Sequence, residues 1–311
     1  MIEVPRVGFR PSLSQSNVCS NALGDWLEGI VLFDQKEVTK SDIVDILIDQ
    51  QICPGSAQEL AHEVADDGWN ELRRRKSWGG LPDSFSIAAN RLEDDADWAD
   101  HPIRSFLLLL SLLRIFPDWA RENRDSVNQG NLFEEVVESI CPALLPGWDV
   151  FRAGWSPGDA KDVAAIVDEL RGRIHVKGAL DLSQWHPPNA KDAGLDIVCY
   201  RSFRDPREAL PVYFLQCASG KNWRDKLDTP NPDLWQKLMD SAVRPSTGIA
   251  APFVVQDHEL RIAALTGQIT VFDRLRLLSA SVCYGVQLSG KLEKRLVEWM
   301  QPRIATLPTA D

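Results

Sequence analysis

The stretch FLQCASGKNW carries Gly220-Lys221 after an apolar run, a pairing that in other settings cradles nucleotide phosphates. Such a loop needs a glycine five positions before the second one, and Ser or Thr after the lysine. Leu215 and Asn222 stand at those positions, so neither the backbone wrap nor the magnesium-holding hydroxyl is provided. Cys217 in the same stretch could be a thiol nucleophile, but no His or Asn motif accompanies it, and strand packing is the simpler reading. The six cysteines contain no CxxC, and His175, His186 and His258 have no partners at ligand spacing. Zinc and redox-dithiol chemistry are therefore not expected.

Three other pieces share one chemical character. GNLFEEVVESI, from Gly130, carries Phe133 and Glu134; KDAGLDIVCY carries Asp192, Gly194 and Asp196 into an apolar run; VYFLQCASGK carries Gln216 near the end of a second run. The order GxxFExxV, then DxGxD leading a strand, then a strand ending in Gln, resembles the PD-(D/E)xK nuclease superfamily. It is most similar to the Mrr-like restriction endonucleases, over roughly residues 130–285. The resemblance implies a magnesium site, with manganese as substitute, held by Glu134, Asp196 and Gln216. It also implies a mixed-sheet restriction-endonuclease-like core with helices on both faces, DNA as substrate, and a role in bacterial defence against phage.

The residue types suit that chemistry. Magnesium prefers oxygen ligands and keeps part of its water, and a bound metal lowers the pKa of water and offsets charge on a scissile phosphate. The resemblance also calls for a lysine two residues after Gln216, where this chain has Ala218; Lys221 is the expected replacement, with Lys177, Lys191 and Lys226 behind it. Plainer roles stand beside these. Asn131 and Glu134 have capping-box spacing. Asp196 would also suit a strand start, Asp192 a turn, Gln216 a core hydrogen bond and Lys221 a solvated turn. A nuclease fold without its lysine would be a non-catalytic nucleic-acid-binding or scaffold subunit, the alternative reading.

The elements that must position these residues show in the periodicity. SDIVDILIDQQI predicts a helix capped by Ser41, SAQELAHEVADDGWNELRRR a helix broken or bent near Gly68, and HPIRSFLLLLSLLRIF a buried helix. RENRDSVNQG (121–130) is polar and turn-rich, which places a boundary between a mainly helical domain, 1–125, and an α/β domain, 126–311. Beyond it, helices over NLFEEVVESICPALL and DAKDVAAIVDELRGRI alternate with strands in GWDVFRAGW, GLDIVCYRSF, LPVYFLQCAS, GIAAPFVVQ and GQITVFD. Asn222 is expected to cap a helix over WRDKL, and DRLRLLSASV and KLEKRLVEWM to be closing helices. Strands alternating with helices imply a mixed α/β sheet covered on both faces.

The chain has 311 residues, 44% hydrophobic and 25% charged, with a formal charge of −11. About −9 of that lies in residues 1–129, where 13 Lys and Arg face 22 Asp and Glu. An acidic first domain repels a phosphate backbone, so it is expected to bind a partner protein or a second copy of the chain. The N-terminus has no apolar signal core and no apolar run is long enough to span a bilayer. A cytoplasmic protein with free thiols and no membrane association is expected.

Overall fold

In the computed structural model, residues 1–8, 19–53, 58–153, 162–185, 193–220 and 222–310 are described. Their elements, in chain order, are α1 (Ser20–Gly29) running into a π-helical turn (Ile30–Asp34), β1 (Glu37–Thr39), α2 (Lys40–Asp49), α3 (Gln58–Ser77), β2 (Phe85–Ile87), β3 (Arg91–Asp94), α4 (Pro102–Ile115), α5 (Pro117–Asn123) and α6 (Ser126–Leu144). There follow β4 (Asp149–Arg152), α7 (Val163–Ile174), β5 (Ile197–Tyr200), β6 (Val212–Cys217), α8 (Pro232–Met239), β7 (Ser246–Ala250), α9 (Asp257–Gly267), β8 (Ile269–Phe272), α10 (Arg274–Cys283) and α11 (Gly290–Ile304). A 3-10 turn, Trp223–Lys226, follows β6.

Local chemistry sets the helix ends differently from the sequence expectation in three places. Thr39, not Ser41, caps α2, in a reciprocal capping box with Asp42. Asp125 caps α6 through the amide of Asn128, so eight of the ten turn-rich residues are helical, three in α5 and five in α6, and Asn131 and Glu134 are interior positions. The capping role for Glu134 is thereby removed. Asn222 makes no side-chain cap, and WRDK forms a single 3-10 turn. Gly68 does not break α3 either. A Cβ there would lie 2.5 Å from Leu27 Cδ1, so the glycine lets α1 and α3 pack closely. Helix α4 is buried on nearly all sides, as its apolar run predicts.

The first 125 residues also contain a small sheet, ordered β1-β3-β2 and antiparallel throughout, which the helical expectation omits. The main sheet has the order β4-β5-β6-β7-β8. Strands β4, β5 and β6 are antiparallel; β6, β7 and β8 are parallel. Side chains alternate between its faces. Ile197, Cys199, Leu215 and Cys217 join the apolar cluster that includes Phe133 and Val137 of α6 and Leu277 of α10. Val198, Tyr200 and Phe214 join Ile166, Leu170 and Trp235 of α7 and α8. Ile249 and Val271 join Ala263 of α9 and Trp223. The fold is thus mixed α/β with helices on both faces of the sheet.

The largest apolar cluster runs across residue 125, from Ile2 and Trp26 to Trp299 and Leu307. A buried charge network crosses the same position. Arg75 of α3 reaches Asp25 (2.7 Å), Glu28 (2.5 Å) and Glu71 (2.8 Å). Arg274, at the start of α10, reaches the same Asp25 (3.0 Å) and Glu28 (2.7 Å). Both arginines are fully buried. Burial raises the Asp25 pKa, but Arg274, Arg75 and the Ser111 hydroxyl outweigh it and hold the carboxyl below the usual range.

Candidate functional site

Asp196 immediately precedes β5 and Gln216 is the penultimate residue of β6. The β5–β6 register, Ile197 opposite Leu215, sets the two directly across from each other. Both are buried. Asp196 Oδ2 accepts from Gln216 Nε2 and from the Cys217 backbone N–H, each at 2.5 Å. By strand alternation they share the face that carries Phe214 and Val198, at the seam between the cluster under α7 and α8 and the cluster under α9.

Gly194 shapes that seam. Its φ of +73° suits glycine, and a Cβ there would lie 1.8 Å from Thr229 Cγ2 and 2.9 Å from Gln216 Oε1. The glycine in DxGxD therefore lets the Thr229 methyl pack closely beside the Gln216 amide.

Glu134 sits in the interior of α6, half-buried, on the helix that covers the other face of the sheet. It is close enough to Cys217 to act on its thiol. Burial pushes the Cys217 pKa well up, and the Asp196 and Glu134 carboxylates push it further, against Lys226 and Arg152. Two carboxylates and two cations thus gather around one buried thiol. A thiol held protonated in this way is no nucleophile, in line with a packing role for Cys217.

Of the lysines singled out from the sequence, Lys177 and Lys226 are among the described residues. Position 218 is fully buried among Trp223, Ile249 and Phe253, so an ammonium group there would enter an apolar cluster. Lys221, Asp192 and Lys191 lie outside the described residues. Lys177 is exposed and paired with Glu208 at 3.5 Å. Lys226, half-buried on the 3-10 turn, remains as the described lysine within electrostatic reach of the Asp196 end. Arg152, which sequence reasoning did not single out, approaches from β4 and lies 3.4 Å from Glu135 and 3.7 Å from Glu138. Nothing in the sequence reveals that β4 borders β5, so no signal pointed to it.

Among the described residues, no group of three or more His, Cys, Asp or Glu is placed to hold a metal ion. Asp196 and Gln216 carry hard oxygens of the type magnesium takes on one face of the sheet, and Glu134 carries another on the helix against the other face. Asp196 draws two N–H donors onto one oxygen, as a buried carboxylate in need of positive charge does. Thr229 Cγ2 fills the position a Cβ at Gly194 would take, so the feature that suits an ion of this class is the oxygen chemistry of Asp196 and Gln216. No family model, curated protein or solved structure matches this chain. Among the described residues, no helix is long and apolar enough to cross a membrane.

Proposed function

We propose that the chain is a magnesium-dependent endonuclease hydrolysing DNA phosphodiester bonds, manganese substituting, as a cytoplasmic effector of bacterial defence against phage. The observation that carries this reading is the Asp196–Gln216 contact across β5 and β6, with Glu134 of α6 near the adjoining Cys217. The antiparallel-then-parallel sheet beneath that contact accords with a restriction-endonuclease-like core. Asp196 and Gln216 would hold the ion, and Glu134 would orient the water beside it. Magnesium, when bound, supplies Lewis acidity towards the scissile phosphate and lowers the pKa of water. Lys226, or Lys221 beyond the described residues, would offset charge developing on the phosphate oxygens. Arg152 adds positive charge at the same end of the sheet.

A plasmid-nicking assay with Mg²⁺, Mn²⁺ and EDTA tests the reading. Metal-dependent nicking by the wild type, lost in Asp196→Ala, is expected; nicking that persists in EDTA or in the variant would remove it. The packing of Ala218 against Trp223 favours one alternative, a nuclease-fold subunit that binds nucleic acid without cutting it. Salt-sensitive DNA binding with no nicking in either metal would select that alternative.

A further inference from the structure

A cavity of about 360 Å³ lies between the first helices and the sheet, lined in part by Asn21, Ser111, Arg114, Trp223, Phe253 and Val254. Neither Asp196 nor Gln216 lines it. Its volume falls within the range of small-molecule sites.

Arg114, in the last turn of α4, places its guanidinium 3.5 Å from the centroid of the Phe253 ring. It is half-buried, and burial pulls its pKa down from the usual arginine value. A guanidinium nonetheless stays charged at neutral pH. Among the described residues, no ion pair or hydrogen bond is found for Arg114. The acids near it are already engaged: Asp25 by Arg75 and Arg274, and Glu259 by Arg224. The cavity therefore holds a partly desolvated cation with no direct ion pair, its wall also carrying Asp25, Glu259 and Arg224, which pair with other residues. A guanidinium stacked on a ring keeps its N–H edge free for a planar anion, which it can bind bidentately.

Asn21 gives a second, independent sign. It is buried, its Nδ2 donates to the Val254 carbonyl at 3.1 Å, and its Oδ1 has no partner. A buried acceptor left unpaired is costly, which makes a donor at this wall favourable.

We propose that the cavity binds a small organic anion, its carboxylate or phosphate pairing with Arg114 and its N–H or O–H groups set against Asn21 and Ser111. Cavity and charge carry this assignment without reference to the Asp196 site, so either can fail alone.

The test uses the full-length chain, with AMP as phosphate probe, glutarate as carboxylate probe and glucose as neutral control. A saturable rise in Tm and a calorimetric isotherm are expected with AMP, glutarate or both, and none with glucose. Response to one anion alone identifies the head group. Arg114→Gln should weaken binding about tenfold or more, while the exposed Arg124→Gln should bind like wild type. No saturable response to either anion, or binding undiminished in Arg114→Gln, would overturn the proposal. If Arg114→Gln does not fold, phenylglyoxal modification of wild-type Arg114, followed by mass spectrometry, tests the same contact. The active anion should slow modification, and an unchanged rate would count against the site.

Discussion

Replacing Arg274 with Leu should cost far more than its place at a helix start suggests. Arg274 is fully buried and gives one nitrogen, Nη2, to both Asp25 and Glu28. Removing it leaves those two carboxylates and Glu71 facing Arg75, with Arg74 reaching Glu71 alone of the three. Breaking one side of a buried ion pair typically costs about 3–5 kcal/mol. At roughly 2 °C per kcal/mol for a chain of this size, Tm should fall by about 6–10 °C. The network as a whole should matter much less. Nε and Nη1 of Arg274 and Oε2 of Glu28 are buried without hydrogen-bond partners, so desolvation offsets much of the attraction. The double variant Arg274→Leu/Glu28→Leu should therefore recover most of the loss, ending within about 1–2 kcal/mol of wild type. The pH dependence has a definite sign. The wild-type Asp25 carboxyl lies below its unfolded value, so its stabilisation is present above about pH 4 and is lost as pH falls through the folded pKa. In Arg274→Leu, with one cation gone, the Asp25 pKa should rise, and the deficit against wild type should shrink from pH 8 to pH 5. Urea unfolding at the two pH values, on wild type, both single variants and the double variant, measures this. A double variant no better than the worse single would show that packing, not charge, carries the loss.

Asp196→Ala should abolish metal-dependent nicking and also destabilise by about 1–3 kcal/mol, because the buried Cys217 N–H loses its acceptor; denaturation and nicking assays read the two effects separately. Lys226→Ala should lower turnover about 10²–10³-fold with little change in DNA affinity if its ammonium acts on transition-state charge; wild-type turnover would return attention to Lys221→Ala. Gly194→Ala should lower stability by about 1–3 kcal/mol through backbone strain, and the contacts at Thr229 and Gln216 should reduce nicking too; unaltered Tm and nicking would deny the glycine its spacing role.

The elements legible in the sequence are those with a long apolar stripe. In α11, Leu292, Leu296 and Met300 recur at helical spacing, and all three are buried. In β6, VYFLQC is long and apolar enough to declare a central strand, buried at five of its six positions. The missed elements lack such stripes. Strands β1 and β2 have three residues each, and their existence depends on partners up to 56 positions away, Glu37 facing Glu93 and Phe85 facing Asp94. Helix α9 buries only Ala263, so its periodicity is too weak to read. The site divides in the same way. Asp196 and Gln216 could be read from residue type and strand position. Arg152 and Lys226 depend on strand order and on the path of a single turn, neither of which is written in local composition. The Arg75–Arg274 network was hidden for a related reason. Arg75 belongs to the run Arg73–Lys76, and its neighbour Arg73 is exposed.

The same network places a constraint on synthesis. Asp25 and Glu28 emerge from the ribosome early, but Arg274, bonded to Glu28, follows 246 residues later. At about 5–20 residues per second, that gap lasts roughly 12–50 s. Throughout it, helix α1 carries two acids destined for burial that have met at most one of their two buried arginines. The apolar faces of α1 and α4 likewise lack the C-terminal helices that cover them. Completion of this core must therefore await the synthesis of α10 and α11, and until then the chain exposes apolar surface of the kind chaperones recognise.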